Sequence, residues 1–473
     1  MAIENRIARI KKRSGVTVPF RQDRITRAIL AAAESIGGFR QDILSNSIYG
    51  AFKDRSDKEI AALLSDDVMM CLNANKGYMS RDTIPDVEVI QDHVVHVLRS
   101  RGFVDTADVY EVYRSGRSKI RAGEITSEQF VANGYPLEKI TAIRRWNTEH
   151  QCETVLKLNS WVLSGRFKEL VDASIAAYEA DIDDAIHTFL GKGNVRILMI
   201  TGPSSSGKTT TTVKLAERLR KIGFNLHALN LDNYFLGLSE YPQDHFGDWD
   251  FETPQALKID LINQHLAELL EGKTILSPRY DFQTGRSIAD AFAVKLEDNE
   301  ILLLDSHHGL YPPMTRSVPN SMKCKVYIET LNMLTEGDGS SGVATKWTDV
   351  RMLRRMLRDR DHRNHSPEMT LGHWHFVRKG ELHDILPYIG TVDCIVNGGL
   401  AFELPVLKTS MGADFPDPEK FLRQGRLDAY IRGERVSRLL AAVVAQPDIS
   451  ANYIPADCHL REFIGGLNVD VHS

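Results

Sequence analysis

One short stretch constrains this chain more than any other: Gly202-Pro203-Ser204-Ser205-Ser206-Gly207-Lys208-Thr209. The spacing G-x-x-x-x-G-K-[ST] has meaning only where a strand precedes it and a helix follows. Val195 to Ile200 is apolar apart from Arg196, and the residues from about Lys208 to Ile222 read as a helix. Glycines there let successive backbone N–H groups point inward at phosphate oxygens, and the helix N-terminus adds partial positive charge. Gly202, Ser204, Ser205, Ser206, Gly207, Lys208, Thr209 and Thr210 are the candidate cradle for the phosphates of ATP. Lys208 suits the β- and γ-phosphates, and the Thr209 hydroxyl suits Mg²⁺. A chance Gly/Ser-rich turn is the alternative, and the strand, helix and lysine together argue against it.

Around the cradle the chain alternates. Apolar strands are expected at Leu226–Leu231, Glu300–Asp305, Lys325–Glu329 and Val392–Val396, with a helix over Leu257–Leu270. Unbroken apolar strands alternating with helices imply a parallel sheet covered on both faces, an α/β P-loop NTPase domain over residues 191–473. Residues 121–190 read as a helical connector with Trp146, Leu156, Leu158, Trp161 and Leu163 in its core, ended by Gly191-Lys192-Gly193-Asn194. Residues 1–120 read as a small, mainly helical domain. Its helices are expected at Asp23–Ile36, at Asp57–Asn73, and from Pro85 with Thr83 as cap.

Composition narrows the classes. Net charge is −5, with 42% hydrophobic and 26% charged residues. Nothing global argues for nucleic acid, and there is no apolar run of about 18 residues to span a membrane. The first residues lack the apolar core of a signal peptide, so a cytoplasmic location is expected. Five scattered cysteines without a CxxC pair suit a reduced protein without structural zinc.

Two carboxylates and one helix carry the remaining chemistry. Asp305 ends an apolar strand, where a second Mg²⁺ partner belongs, although a strand-end carboxylate can also cap a turn. Asp232, in Leu231-Asp232-Asn233-Tyr234-Phe235, closes the strand after the cradle helix. It could accept a proton from an attacking hydroxyl, or be a turn aspartate before Asn233. Arg351, Arg354, Arg355, Arg358, Arg360 and Arg363 lie within thirteen residues, with Thr348 and Asp349 as candidate caps. A solvated face and a nucleic-acid surface are open readings. A lid over ATP, with Arg351, Arg355 and Arg358 neutralising transferred charge, fits the cradle better.

Taken in order, the cradle, Leu231–Phe235, Pro278-Arg279-Tyr280-Asp281-Phe282 with Arg286, and Asp349–Arg355 with Arg358-Asp359 resemble the uridine kinase and phosphoribulokinase family over about residues 195–410. The resemblance implies that Asp232 is the base and helps hold Mg²⁺, that Asp305 ends the Walker B strand, and that Asp250, Tyr280, Phe282 and Arg286 hold the acceptor. The stretch Gln283-Thr284-Gly285 lacks the histidine with which uridine kinases read the pyrimidine. His307 and His308 stand where that family has other residues, as candidate substrate contacts or as sheet-edge packing. The tail Ile454–Gly466 looks like that of a bacterial uridine-kinase-like subgroup.

Upstream, Lys11-Lys12-Arg13-Ser14-Gly15, Val18-Pro19-Phe20-Arg21-Gln22-Asp23-Arg24-Ile25 and later Gly102-Phe103, Tyr110 and Arg117 resemble the ATP-cone, a regulatory nucleotide-binding domain. The resemblance implies a second nucleotide at Lys12, Arg13 and Arg24, and a homo-oligomer. The expected activity is transfer of the γ-phosphoryl group of ATP to a hydroxyl of a nucleoside or other ribose-like metabolite. A phosphorylated acid such as 2-phosphoglycerate is the alternative acceptor, and an NTPase switch the alternative class.

Overall fold

The computed structural model describes residues 7–39, 49–75, 78, 83–132, 134–237, 240–241, 249–250, 252–281, 284–297, 299–340 and 344–468. The N-terminal unit opens with an antiparallel pair, β1 (Arg9–Lys11) and β2 (Thr17–Pro19), in which Ile10 faces Val18. Helices α1 (Asp23–Glu34), α2 (Asp57–Ala74), α3 (Val87–Ser100) and α4 (Val104–Arg121) follow. Ile25, Ile29, Ile60, Leu64, Val68, Val94 and Val97 close a core of their own. Ser56 and Glu59 form a reciprocal capping box at the start of α2. Helix α3 starts at Val87, behind Asp86, not at Pro85. Pro85 O accepts the Lys11 N–H at 3.0 Å and Asp86 bridges to Lys11, so this segment is extended beside β1 and Thr83 caps nothing.

Helices α5 (Leu137–Glu149), α6 (Val155–Leu163) and α7 (Phe167–Lys192) come next. Helix α7 lays Phe167, Leu170, Val171, Tyr178, Ile182 and Phe189 into the same core as Leu198, Ile200, Val326 and Ile328 of the sheet. The expected connector is therefore built into the core of the α/β unit. Leu158 is buried, but Leu156 and Leu163 are 58% and 74% exposed. The nine-residue α6 offers one face to the core, and those two leucines lie on the other.

The sheet has five parallel strands in the order β4-β7-β3-β8-β9. They are β3 (Ile197–Thr201), β4 (Asn225–Asn230), β7 (Glu300–Ser306), β8 (Lys323–Glu329) and β9 (Cys394–Asn397), with α8 (Lys208–Lys221) after β3. The pleat divides the apolar residues. Leu198, Ile200, Ile301 and Leu303 face α7 and α8, whereas Ile197, Met199, Leu302 and Leu304 face α9 (Ile259–Leu270). A hairpin of β5 (Ile275–Asp281) and β6 (Arg286–Val294) stands off this face. The chain is completed by α10 (Trp347–His362), α11 (Pro367–Gly380), α12 (Glu403–Met411), α13 (Pro418–Arg423), α14 (Leu427–Ala442) and α15 (Arg461–Ile464). Among the described residues no helix is long and apolar enough to cross a membrane.

Candidate active site

Parallel strands deliver their C-terminal ends to one edge, and the register levels them: Ile200 of β3 and Asn230 of β4 both pair with Asp305 of β7. The cradle leaves β3 at this edge. A Cβ on Gly202 would run into Ile328 O, and Gly207 takes φ +95°, so the loop can only close with glycine at these places. The Lys208 ammonium turns back to Pro203 O at 3.1 Å. The Ser205 and Ser206 hydroxyls are buried and find no hydrogen-bond partner among the described residues. Orphaned donors beside a helix N-terminus suit an oxyanion.

Asp305 is the last residue but one of β7, and Asp232 lies in the 3₁₀ turn Leu231–Tyr234, whose backbone is held by Asp232 N–H donating to Asn230 Oδ1 at 2.8 Å. Burial pushes the Asp305 carboxyl up to about 7, against the pull of Lys208 and with the push of Asp232 and Glu462. Burial likewise raises Asp232, against Lys208, Arg363 and Arg358. Lys208 is lowered by burial and drawn back up by Asp305 and Asp232. The three groups thus share one electrostatic site. Among the described residues no three histidine, cysteine or carboxylate groups form a closed cation cage. The Thr209 hydroxyl, Asp232 and Asp305 supply oxygen donors of the kind that would hold a magnesium ion arriving with phosphate oxygens.

Helix α10 runs along the cradle, but its arginines divide. Arg351 is fully buried, pairs with Glu329 at 2.8 Å, and makes a two-pronged contact with Glu381 at 2.6 and 2.8 Å. It donates to the Ser204 carbonyl at 3.1 Å, so it braces the cradle from behind and is no mobile lid residue. Arg354 does the same through Glu403, Gly398 O and Ser205 O. Arg355 donates to Ser204 Oγ at 3.2 Å and to Glu252 at 2.6 Å. Arg358 pairs with Asp359 and acts on both Asp232 and Lys208. Asp349 caps nothing: it is buried in α10 and clamps Arg435 at 2.5 and 2.8 Å.

The expected substrate residues are spread more widely. Asp250 is buried and receives Lys379 at 2.9 Å and the Glu252 N–H at 3.2 Å. Tyr280 is buried beside Phe235, while Arg286 is exposed at the start of β6. Phe282 lies outside the described residues. His307 places Nδ1 3.2 Å from Gly202 O and packs edge-on to His308. Burial holds the His307 imidazolium down to about 4 despite Glu252, so a neutral ring supports the cradle. Glu252 and Glu462 were not singled out from sequence, and Arg363 stood out only as one of the arginine run. Glu252 joins Arg355 to His307, Arg363 acts on Asp232, and Glu462 accepts from Thr210 Oγ1 at 3.2 Å. Only the pairing partners make Glu252 visible, since no motif marks it.

Lys12, Arg13 and Arg24 are exposed on the N-terminal unit. Arg13 pairs with Glu88 and donates to Gln91 at 2.7 Å, which ties the β1–β2 turn to α3.

Each unit is similar to a known family. Residues 197–336 match the family described as Phosphoribulokinase / Uridine kinase family, and residues 8–119 match the ATP cone domain. A uridine kinase of Deinococcus deserti is 29% identical over 212 residues, which is 44% of this chain and 91% of that protein. A uridine kinase of Brevibacillus brevis is 26% identical over 49% of this chain and 99% of its own length. Uridine-cytidine kinase B of Dictyostelium discoideum is 25% identical over 49% of this chain and 88% of its own. The chain therefore joins an ATP cone domain to a domain of the phosphoribulokinase and uridine kinase family.

Proposed function

We propose that the chain is an ATP-dependent kinase that transfers a γ-phosphoryl group to a hydroxyl of a nucleoside or other ribose-like small molecule. The observation that carries this reading is the pair Asp232 and Asp305, from the ends of adjacent strands, sharing the field of Lys208 at the mouth of the cradle. Backbone N–H groups of the loop hold the phosphates, and Lys208 takes the charge at their far end. Asp232, its basicity raised by burial, accepts the proton of the attacking hydroxyl. Thr209, Asp232 and Asp305 would hold Mg²⁺, which when bound neutralises charge on the β- and γ-phosphates. Arg355 and Arg358 line the same mouth, and Arg351 keeps the Ser204 carbonyl in place. A second nucleotide at Lys12, Arg13 and Arg24 would adjust the activity.

One observation favours a second acceptor class. Arg358 and Arg363 crowd beside Asp232, and their repulsion lowers the Arg363 guanidinium to about 10. Two cations near the base suit an anionic acceptor such as a phosphorylated acid. Steady-state turnover with nucleosides, pentoses and glycerate derivatives separates the readings. A single acceptor raising ADP release is expected. Release independent of every acceptor would leave an NTPase switch. Asp232→Asn should lower turnover roughly 10²–10⁴-fold while ATP binding persists; undiminished turnover would remove Asp232 as base.

A further inference from the structure

We propose that Glu462 reads the ribose hydroxyls of the donor nucleotide and so makes the cradle select ribonucleotides. This rests on the reading that ATP is the phosphoryl donor at the P-loop.

Glu462 comes from the far end of the sequence but sits at the cradle. Its carboxylate accepts from Thr210 Oγ1, two residues beyond Lys208 at the opening of α8. The placement is rigid. Leu460 and Phe463, on either side of it, are fully buried. Arg461 donates to Ile449 O and Ile454 O at 2.8 Å, and the Arg354 guanidinium lies over the Phe463 ring. His459 packs against Gly207 and reaches Gly398 O at 2.9 Å. The tail is thus core-packed around the loop and carries Glu462 as a fixed group.

A fixed carboxylate there needs a reason. Glu462 acts electrostatically on both Lys208 and Asp305, so it lies within reach of the phosphate site. Among the described residues it has no ion-pair partner, and Thr210 is its one side-chain donor. A polyphosphate offers acceptors only, and a carboxylate accepts only. The two repel unless the ligand carries donors beside its phosphates. On a nucleoside triphosphate the donors nearest the phosphates are the sugar hydroxyls. Thr210 comes next in the chain after Lys208 and Thr209, the residues suited to the β- and γ-phosphates and to Mg²⁺, so Glu462 stands at the edge of the phosphate site. A carboxylate that accepts a hydroxyl there discriminates against analogues lacking it, because its own lone pair is then left dry.

Equilibrium dialysis of the full chain with Mg²⁺ tests this, using ATP, 2′-deoxy-ATP, 3′-deoxy-ATP and inorganic triphosphate. The Lys208→Ala chain is run in parallel, so that nucleotide held by the N-terminal unit is subtracted. The wild type is expected to bind ATP roughly ten-fold or more tightly than at least one deoxy analogue. Glu462→Gln should lose most of that preference through weaker ATP binding, with deoxy binding little changed. Its affinity for triphosphate should be equal or higher, since repulsion is removed. A purely structural Glu462 would instead weaken triphosphate and all nucleotides together, and that outcome overturns the proposal. So does a wild type that treats ATP and both deoxy analogues alike, or a Gln variant that keeps the preference. Nucleotide binding indifferent to Lys208→Ala would take away the donor reading itself, and this inference with it.

Discussion

Asp305 is the residue whose environment is most at odds with its charge. Burial lifts its folded pKa from 3.8 to about 7, with Lys208 only partly opposing. The folded protein therefore keeps a proton that the unfolded chain releases above about pH 4. The stabilisation this gives is complete below the unfolded pKa and is lost as pH rises through about 7. Asparagine mimics the neutral acid and cannot ionise. In the nucleotide-free protein, Asp305→Asn should match the wild type in thermal stability below about pH 4 and draw ahead of it as pH rises. It should exceed it near pH 8 by something on the order of 1–4 kcal/mol. Mg²⁺ with ATP should close the gap, because a ligated carboxylate is stabilised in its charged form. A gap that stays constant from pH 5 to 8 would mean that Asp305 does not titrate there. The same burial makes Asp232 a stronger base than a surface aspartate, so one physical cause prepares both groups.

At the scale of elements, the cradle is held less by its own glycines than by the loop that follows β9. A Cβ on Gly398 would collide with Ser206 O, while Gly398 O accepts from Arg354 at 2.7 Å. Gly398→Ala should push the cradle out of register, destabilise the protein by roughly 1–3 kcal/mol, and weaken nucleotide binding. Gly191→Ala, in α7 with open space around its Cβ, should be neutral or stabilise by up to about 1 kcal/mol. Calorimetric melting of both variants checks the contrast; equal melting would show that the loop yields. The cradle, β7 and the parallel sheet were legible in the sequence because glycine spacing and unbroken apolar runs are local signals. The β5–β6 hairpin was not, since Ala289 to Ala293 is exposed and carries no alternation to mark a buried face. Pro85 misled because its extended state is set by β1, far off in sequence. Arg351 misled for the same reason: a charge run reads as a free lid until Glu329, Glu381 and Glu403 arrive from other elements to bury Arg351 and Arg354.

Across the whole molecule, one of those carboxylates, Glu381, belongs to a chain of ion pairs that links the two units. Asp108 of α4 accepts from Arg378 of α11 at 3.2 Å, Arg378 pairs with Glu381, Glu381 grips Arg351, and Arg351 holds Ser204 O of the cradle. Arg99 and Arg432 also face Asp108, and Asp105 of α4 pairs with Arg435 and Lys346. Despite burial, Arg351 and Arg378 hold Glu381 down to about 2, so Glu381 stays charged at any working pH. Removing one member of a buried ionic chain leaves its partner uncompensated, at a cost of roughly 3–5 kcal/mol when isolated. Here Glu381 still serves Arg378, so Asp108→Asn should cost less and act mainly by letting Arg378 pull Glu381 away from Arg351. The expected result is a several-fold change in nucleotide affinity at the P-loop, although Asp108 sits in the N-terminal unit. A double-mutant cycle with Arg378→Gln should give a coupling of about 0.5–3 kcal/mol, as for contacting residues. Binding within two-fold of wild type in both single variants, with melting temperatures preserved, would show that the ionic chain fixes the interface without reaching the cradle. A response present in the wild type at saturating nucleotide on the N-terminal unit, and blunted in Asp108→Asn, would make this contact the route by which one site informs the other.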